Sequence, residues 1–295
     1  MPPEPLSDPP ELKSAWRLDK WLPELLRHHQ GRPGCLGELN LPLLQVAIRH
    51  RNVNWPRMIS SYLQGKDVLD VGCGRSFFSV GFWFAGAGSY TGVDPSLNPN
   101  SNDFKDSSPL HGQFVKSQWT PALLESALPR TRLVAGLTSD LPAGSTFDVV
   151  AMHNVTEHLM QIEDAFAEFA SLLRPGGRII FRHPSYHAWS GHHMKPRSVA
   201  GIIPGDPEQA KYMDWAHLHP RADWPDKITK RQNRIRLHEL RALTERFFEI
   251  ERWEPRRSLP DEGGERLTEA ILARSPGFDA EELLTASVLC VAVRK

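Results

Sequence analysis

The chain has 295 residues and a formal net charge of zero, with 40 % of residues hydrophobic and 24 % charged. That much apolar side chain fills a sizeable core, which excludes disorder as a description of the whole chain. A neutral balance supplies no global field to hold nucleic acid or an anionic membrane. Cys35, Cys73 and Cys290 are the only cysteines, too few and too scattered for a disulfide framework or a thiolate zinc site. No apolar run reaches the roughly 18 residues of a membrane span. The opening Met1-Pro2-Pro3-Glu4-Pro5 carries no signal-peptide pattern, and a soluble cytoplasmic protein is expected.

Residues 1–60 read as a helical N-terminal segment. It is proline-rich to residue 10 and amphipathic over 16–28 and 42–51, where Leu43, Leu44, Val46 and Ile48 mark one buried face. From residue 67 short apolar runs alternate with helical stretches, the pattern of βαβ units and a parallel sheet. Asp67-Val68-Leu69-Asp70-Val71 is a strand, 77–87 a helix, and 89–93 a second strand ending at Asp94. Residues 132–135 and 147–152 are the third and fourth strands, and 96–108 is polar and irregular. A helix over 162–173 stops at Arg174-Pro175-Gly176-Gly177, and 178–182 is the fifth strand. Between 184 and 235 the periodicity breaks; so long a stretch inside a compact domain reads as a cap or binding loop without a core of its own. A helix over 237–247 and strands over 249–253 and 286–293 follow. The predicted organisation is a helical segment over 1–60, a core over 61–183, a cap over 184–235, and completion of the core sheet by 236–295.

Asp70-Val71-Gly72-Cys73-Gly74-Arg75-Ser76-Phe77 sits where the first strand turns into a helix. Glycines at 72 and 74 allow a tight turn and the close approach of a ligand. The third glycine of the dinucleotide fingerprint would stand at position 77, which is Phe, so a bulkier, non-phosphate group is expected against the loop. Asp94, about 20 residues on, can accept from both hydroxyls of a ribose. A ribose acceptor without a pyrophosphate cradle points to an adenosine ligand.

Val68-Leu69-Asp70-Val71-Gly72-Cys73-Gly74, Gly92-Val93-Asp94, Leu141-Pro142, Phe147-Asp148-Val149-Val150, Glu157-His158 and Leu173-Arg174-Pro175-Gly176-Gly177 stand in order along the chain. Together they resemble the class I S-adenosylmethionine-dependent methyltransferases, most of all the small-molecule branch that includes ubiquinone and sterol methyltransferases. The resemblance covers roughly residues 65–183. It implies an α/β fold: a Rossmann-like seven-stranded sheet, mostly parallel with the last strand antiparallel, helices on both faces, and a cap insertion after strand five. It implies S-adenosyl-L-methionine as cofactor, with Asp70, Gly72, Cys73, Gly74, Phe77, Asp94, Pro95, Leu137, Thr138, His153 and Asn154 as its binding residues. Leu137 stands where many relatives have an Asp for the adenine amino group, so backbone amides, Leu137 and Thr138 are expected to recognise adenine.

His153-Asn154-Val155-Thr156-Glu157-His158-Leu159 follows strand four. Some ubiquinone-type relatives carry a cation-binding Glu at the position of Asn154; hard cations want several oxygens, and with an amide there no metal is expected. Glu157 reads as a helix-start residue complementing the dipole. Six of the thirteen histidines lie between 183 and 219, together with Trp189, Trp215 and Trp224. Imidazoles can take the proton of an attacking hydroxyl, and tryptophans offer flat faces to a ring or sugar. The candidate bases are His187, His183 and His158, the first two preferred, with Glu157 as the carboxylate alternative. The basic run Lys227, Lys230, Arg231, Arg234 and Arg236 reads as a solvated surface or as a contact to an acidic acceptor.

The expected function is methyl transfer to an oxygen, less readily a nitrogen, of a polar small molecule or saccharide. A non-catalytic nucleoside-binding module of the same fold and an NAD-dependent oxidoreductase are the alternatives. The intact Asp70/Gly72/Gly74/Asp94 set argues against the former and Phe77 against the latter. No nucleic-acid partner is expected.

Overall fold

A computed structural model describes Leu43, Ala47, Ile48 and residues 51–105, 114–116, 119–219, 221–222, 224–225 and 230–295. The helix expected over 16–28, Leu44, Val46, Cys35 and Lys227 lie outside the described residues. The chain divides into two compact units, Met1–Met152 with Leu172–Gly177, and His153–Ser171 with Arg178–Lys295.

The first unit holds α1 (Asn54–Met58), β1 (Asp67–Val71), α2 (Phe78–Phe84), β2 (Ser89–Asp94), β3 (Asp103–Lys105), β4 (Phe114–Lys116), α3 (Pro121–Ala127), β5 (Thr131–Ala135) and most of β6 (Phe147–His153). The second holds most of α4 (Ile162–Leu172) and β7 (Leu173–Pro184), then α5 (Pro207–Ala210), α6 (Leu237–Phe247), β8 (Phe248–Arg257), α7 (Glu269–Arg274), α8 (Ala280–Leu284) and β9 (Thr285–Arg294). Seven strands form a sheet in the order β5-β2-β1-β6-β7-β9-β8. β1 pairs in parallel with β2 and β6, and β2 with β5. The last strand, β9, runs antiparallel to β7 and β8, as expected. The polar stretch 96–108, read as irregular, contains β3, which pairs antiparallel with β4. No helix among the described residues is long and apolar enough to cross a membrane.

Within the first unit β1 is the central strand, and its residues 68–71 are buried. Leu43, Ala47, Ile48, Val53, Phe77, Val80, Trp83, Phe84, Leu124 and Leu128 pack into one apolar cluster. Gly81 lets α2 approach α1: a Cβ there would lie 2.4 Å from Asn52 O. The Leu-Arg-Pro-Gly-Gly segment, expected as a turn before a strand over 178–182, is instead the first part of β7, and its role is structural. Arg174 pairs with Asp67 at 2.8 Å and Asp148 at 3.0 Å, while Asp148 Oδ2 accepts from the Asp67 amide at 2.8 Å.

In the second unit Phe166, Phe181 and Phe248 pack edge to face, and Trp253 adds to Phe181. Residues 184–235 were expected to lack a core, yet Tyr186, Tyr212 and Trp224 form a small one. Trp189 and Trp215 join Ile271, Leu283 and Leu284 in a second cluster. Neighbours in sequence alone cannot supply such a core; residues far along the chain complete it.

Candidate active site

β1 delivers the chain into a turn that is closed onto the end of β2. The amides of Gly72 and Cys73 donate to Val93 O at 2.8 and 3.2 Å, and the Gly74 amide donates to Asp94 Oδ2 at 2.8 Å. The other Asp94 oxygen accepts from Ser96 N at 2.7 Å and Ser96 Oγ at 2.6 Å. Gly72 and Gly74 sit at φ 71° and 59°, the left-handed region that a Cβ penalises. Among the described residues, and apart from its chain neighbours, no atom lies within 4 Å of where a Gly74 Cβ would stand, so these residues leave the space above the turn open. A carboxylate offers roughly four lone-pair directions; three are occupied on Asp94, leaving one for an incoming hydroxyl.

Asp70 lies beneath the turn, 2 % exposed, and accepts from Tyr90 Oη at 2.7 Å. Burial is the main cause that pushes its pKa up to about 7. It supports the turn from inside. Cys73 is buried too, and burial pushes its thiol far above the usual range, helped by the Asp70 and Asp94 charges. Pro95 is exposed. Leu137 is 59 % exposed just beyond β5, with its amide held by Asp140 Oδ2 at 2.8 Å; Thr138 begins the short helical turn that follows. Phe77, expected beside the cofactor, is instead buried in the first unit's apolar cluster. A half-buried strand-end carboxylate, an open glycine turn and an exposed apolar side chain suit an adenosine ligand.

The second unit begins where β6 ends. His153 is half-buried; burial, with the Arg182 charge, lowers its pKa to about 3. Asn154 has φ 60°, a left-handed conformation held by its amide donating to Arg182 O at 3.1 Å. Thr156–His158 form a 3₁₀ turn, and Thr156 Oγ1 lies 2.9 Å from His183 Nδ1. His183 is 1 % and His187 6 % exposed. Burial is the chief reason their pKa values fall to about 3 and about 4. Each keeps one ring nitrogen with no hydrogen-bond partner among the described residues.

His158 differs: its side chain is 44 % exposed. Its Nδ1 lies 2.6 Å from Arg231 O; a carbonyl only accepts, so Nδ1 carries the proton and Nε2 presents the lone pair. That Nε2 is 3.7 Å from Glu157 Oε1. Glu157 is the residue sequence reasoning undervalued. It is 2 % exposed, neither carboxyl oxygen has a hydrogen-bond partner among the described residues, and burial pushes its pKa up to about 8. Nothing in the polar stretch around it signals burial.

The histidine–tryptophan cluster is largely architectural. Trp189, Trp215 and Trp224 are buried, so their faces are not offered to a sugar. Trp215 Nε1 donates to His187 O at 3.0 Å, and Trp189 Nε1 to Asp214 Oδ1 at 3.2 Å. His217 is held between Tyr186 O and Tyr212 O, and His192 stacks on Tyr212. Of the basic run, Arg236 pairs with Glu282 and Arg234 stands over Tyr186 and Trp224.

A family profile described as a methyltransferase domain matches residues 48–247. An uncharacterized methyltransferase of Mycobacterium ulcerans is 28 % identical over 174 residues, 56 % of this chain and 56 % of that one. A tRNA U34 carboxymethyltransferase of Methylococcus capsulatus is 30 % identical over 132 residues, 44 % of this chain and 36 % of that one. The chain thus spans about half the length of the mycobacterial relative and less of the other. A crystal structure of an S-adenosylmethionine-dependent methyltransferase from Mesorhizobium loti superposes with a TM-score of 0.44 at 19 % identity, covering 79 % of this chain and 93 % of that one. With residues 48–247 matched, more than half of this chain, the chain belongs to the methyltransferase-domain family.

Proposed function

We propose that this protein transfers the methyl group of S-adenosyl-L-methionine to an oxygen, less readily a nitrogen, of a polar small molecule. The observation that carries the reading is the clasp between the Gly74 amide and Asp94 Oδ2 at 2.8 Å, below open space. Asp94 would hold the ribose, and the backbone at Gly72, Cys73 and Gly74 the methionine part. Leu137 and Thr138 would face the adenine, flanked by Pro95, with Asp70 bracing the turn and His153 and Asn154 following β6. Residues 184–235 are read as the acceptor-binding insertion. The saccharide form of the reading rested on accessible tryptophans and loses that support, since all three are buried.

S-adenosyl-L-methionine supplies a methyl already activated on a sulfonium, so the protein's own tasks are alignment and removal of a proton. The proton acceptor proposed is His158. Its tautomer is set by Arg231 O, leaving the lone pair on Nε2, and it is the most exposed of the three candidate histidines. His183 and His187 serve as positioning residues, His183 through its bond to Thr156 in the turn that carries Glu157 and His158.

Calorimetry with S-adenosylhomocysteine and NAD tests the reading. The protein is expected to bind the former and not the latter. Asp94→Ala should weaken binding about 10- to 100-fold, the loss of one hydrogen bond to a charged acceptor at about 1.5–3 kcal/mol. Tight NAD binding with no response to S-adenosylhomocysteine would overturn the assignment. The tRNA-named relative favours a nucleic-acid acceptor as the second reading; the zero net charge argues against it. Retention of bulk tRNA at about 0.15 M salt would move the assignment there.

A further inference from the structure

The second unit contains a cavity of about 230 Å³ lined by side chains of β7, β8, β9 and the loops around residues 154 and 185–197. Its charges do not balance. Arg182, Arg197 and Arg256 line it, against the single carboxylate of Glu262. That carboxylate is already taken: Arg256 grips it through both terminal nitrogens at 2.7 and 3.0 Å. Arg197 donates to His193 O at 3.0 Å, with no other hydrogen-bond partner among the described residues, and is exposed at the rim.

Arg182 is the unusual group. It is half-buried in β7, opposite Leu289 of β9. Its Nε donates to Ser287 Oγ at 3.4 Å, and the same oxygen accepts from Arg256 Nε at 3.3 Å. Two guanidiniums therefore share one hydroxyl, and among the described residues no carboxylate pairs with Arg182. A partly buried cation without a counter-charge is costly. Burial and the Arg256 charge both push its pKa down, against the opposing pull of Glu262 and Glu157. The planar fork of a guanidinium matches an oxyanion bidentately. At about 230 Å³ the space is smaller than the roughly 300–1,000 Å³ of a site for a whole drug-sized ligand. It suits one end of a molecule.

We propose that this cavity seats an anionic group of the methyl acceptor, a carboxylate or a phosphate, bound by Arg182 with Arg197 and Ser287 completing the contact. The identity of the ligand as the acceptor rests on the methyl-transfer reading; the anion site itself does not. Asn154, whose strained backbone lies directly on Arg182 O, then ties the anion site to the loop that carries Glu157 and His158.

The test measures thermal stabilisation of the full chain by inorganic phosphate and by acetate, at constant ionic strength set with chloride and with saturating S-adenosylhomocysteine. Wild-type protein is expected to show saturable stabilisation by at least one oxyanion, as mass action requires of a ligand that binds only the folded state. Arg182→Gln should weaken the apparent affinity about tenfold or more, Arg182→Lys should recover part of it, and Arg197→Ala, at the exposed rim, should weaken it about threefold. Equal stabilisation of wild type, Arg182→Gln and Arg197→Ala would overturn the proposal; should Arg182→Gln not fold, Arg197→Ala and Arg182→Lys decide it. Abolition of oxyanion binding by S-adenosylhomocysteine would also overturn it, because the cavity would then hold the cofactor's own carboxylate. Calorimetry separates the two readings: binding of S-adenosylhomocysteine without an Arg182-dependent anion effect sinks only the anion site. An Arg182-dependent anion effect without S-adenosylhomocysteine binding sinks only the methyl-transfer reading.

Discussion

Glu157 gives the sharpest physical prediction. The residue is 2 % exposed with neither carboxyl oxygen hydrogen-bonded among the described residues, and burial raises its pKa from 4.5 to about 8. An acid raised in this way keeps its proton in the native state after the unfolded chain has released it. Its contribution to stability is therefore fully present below pH 4.5 and is lost as pH rises through about 8. Across that window the native state binds one more proton, so the unfolding free energy falls by about 1.4 kcal/mol per pH unit. Between about pH 5.5 and about pH 8 the loss is about 3 kcal/mol. Glu157→Gln keeps the shape and cannot ionise, which removes that slope. Urea denaturation of both proteins at the two pH values isolates the effect, because every other titrating group is common to both and cancels in the difference. The variant should gain about 3 kcal/mol on wild type over the interval. Parallel pH dependences, within about 1 kcal/mol, would mean that Glu157 is ionised or paired in solution and that the reasoning is wrong.

Once an acceptor is known, His158→Ala should lower kcat about 10²- to 10⁴-fold with S-adenosylhomocysteine affinity unchanged, whereas His183→Ala should act through stability; the opposite pattern would return the base to His183. Gly263→Ala places a Cβ 2.2 Å from Trp189 Cγ at φ 80°, so overpacking and backbone strain should destabilise the protein by about 2–4 kcal/mol in urea denaturation.

The sheet was legible in the sequence because its strands are marked locally. β1, β2 and β6 are short apolar runs bounded by glycine or an acid, and the backbone alone requires glycine at positions 72 and 74. The order of those motifs along the chain sufficed for the family; that Asp94 accepts from the Gly74 amide only the structure reveals. Phe77 was misjudged because a position next to a binding loop says nothing of direction: the side chain turns into the apolar cluster. The same holds across 184–235. Its histidines and tryptophans looked like site chemistry, yet burial comes from partners such as Ile271 and Leu284, far along the chain and absent from any local pattern. Charge balance is equally non-local. Arg182 reads as the polar end of a strand, and only the packing of β7, β8 and β9 shows that Glu262 is committed to Arg256 and that, among the described residues, no carboxylate pairs with Arg182. Local sequence encodes which backbone shapes and periodicities are allowed. Desolvation, which decides the protonation of Glu157 and His183 and the pairing of Arg182, depends on which distant side chains exclude water, and only the tertiary structure decides that.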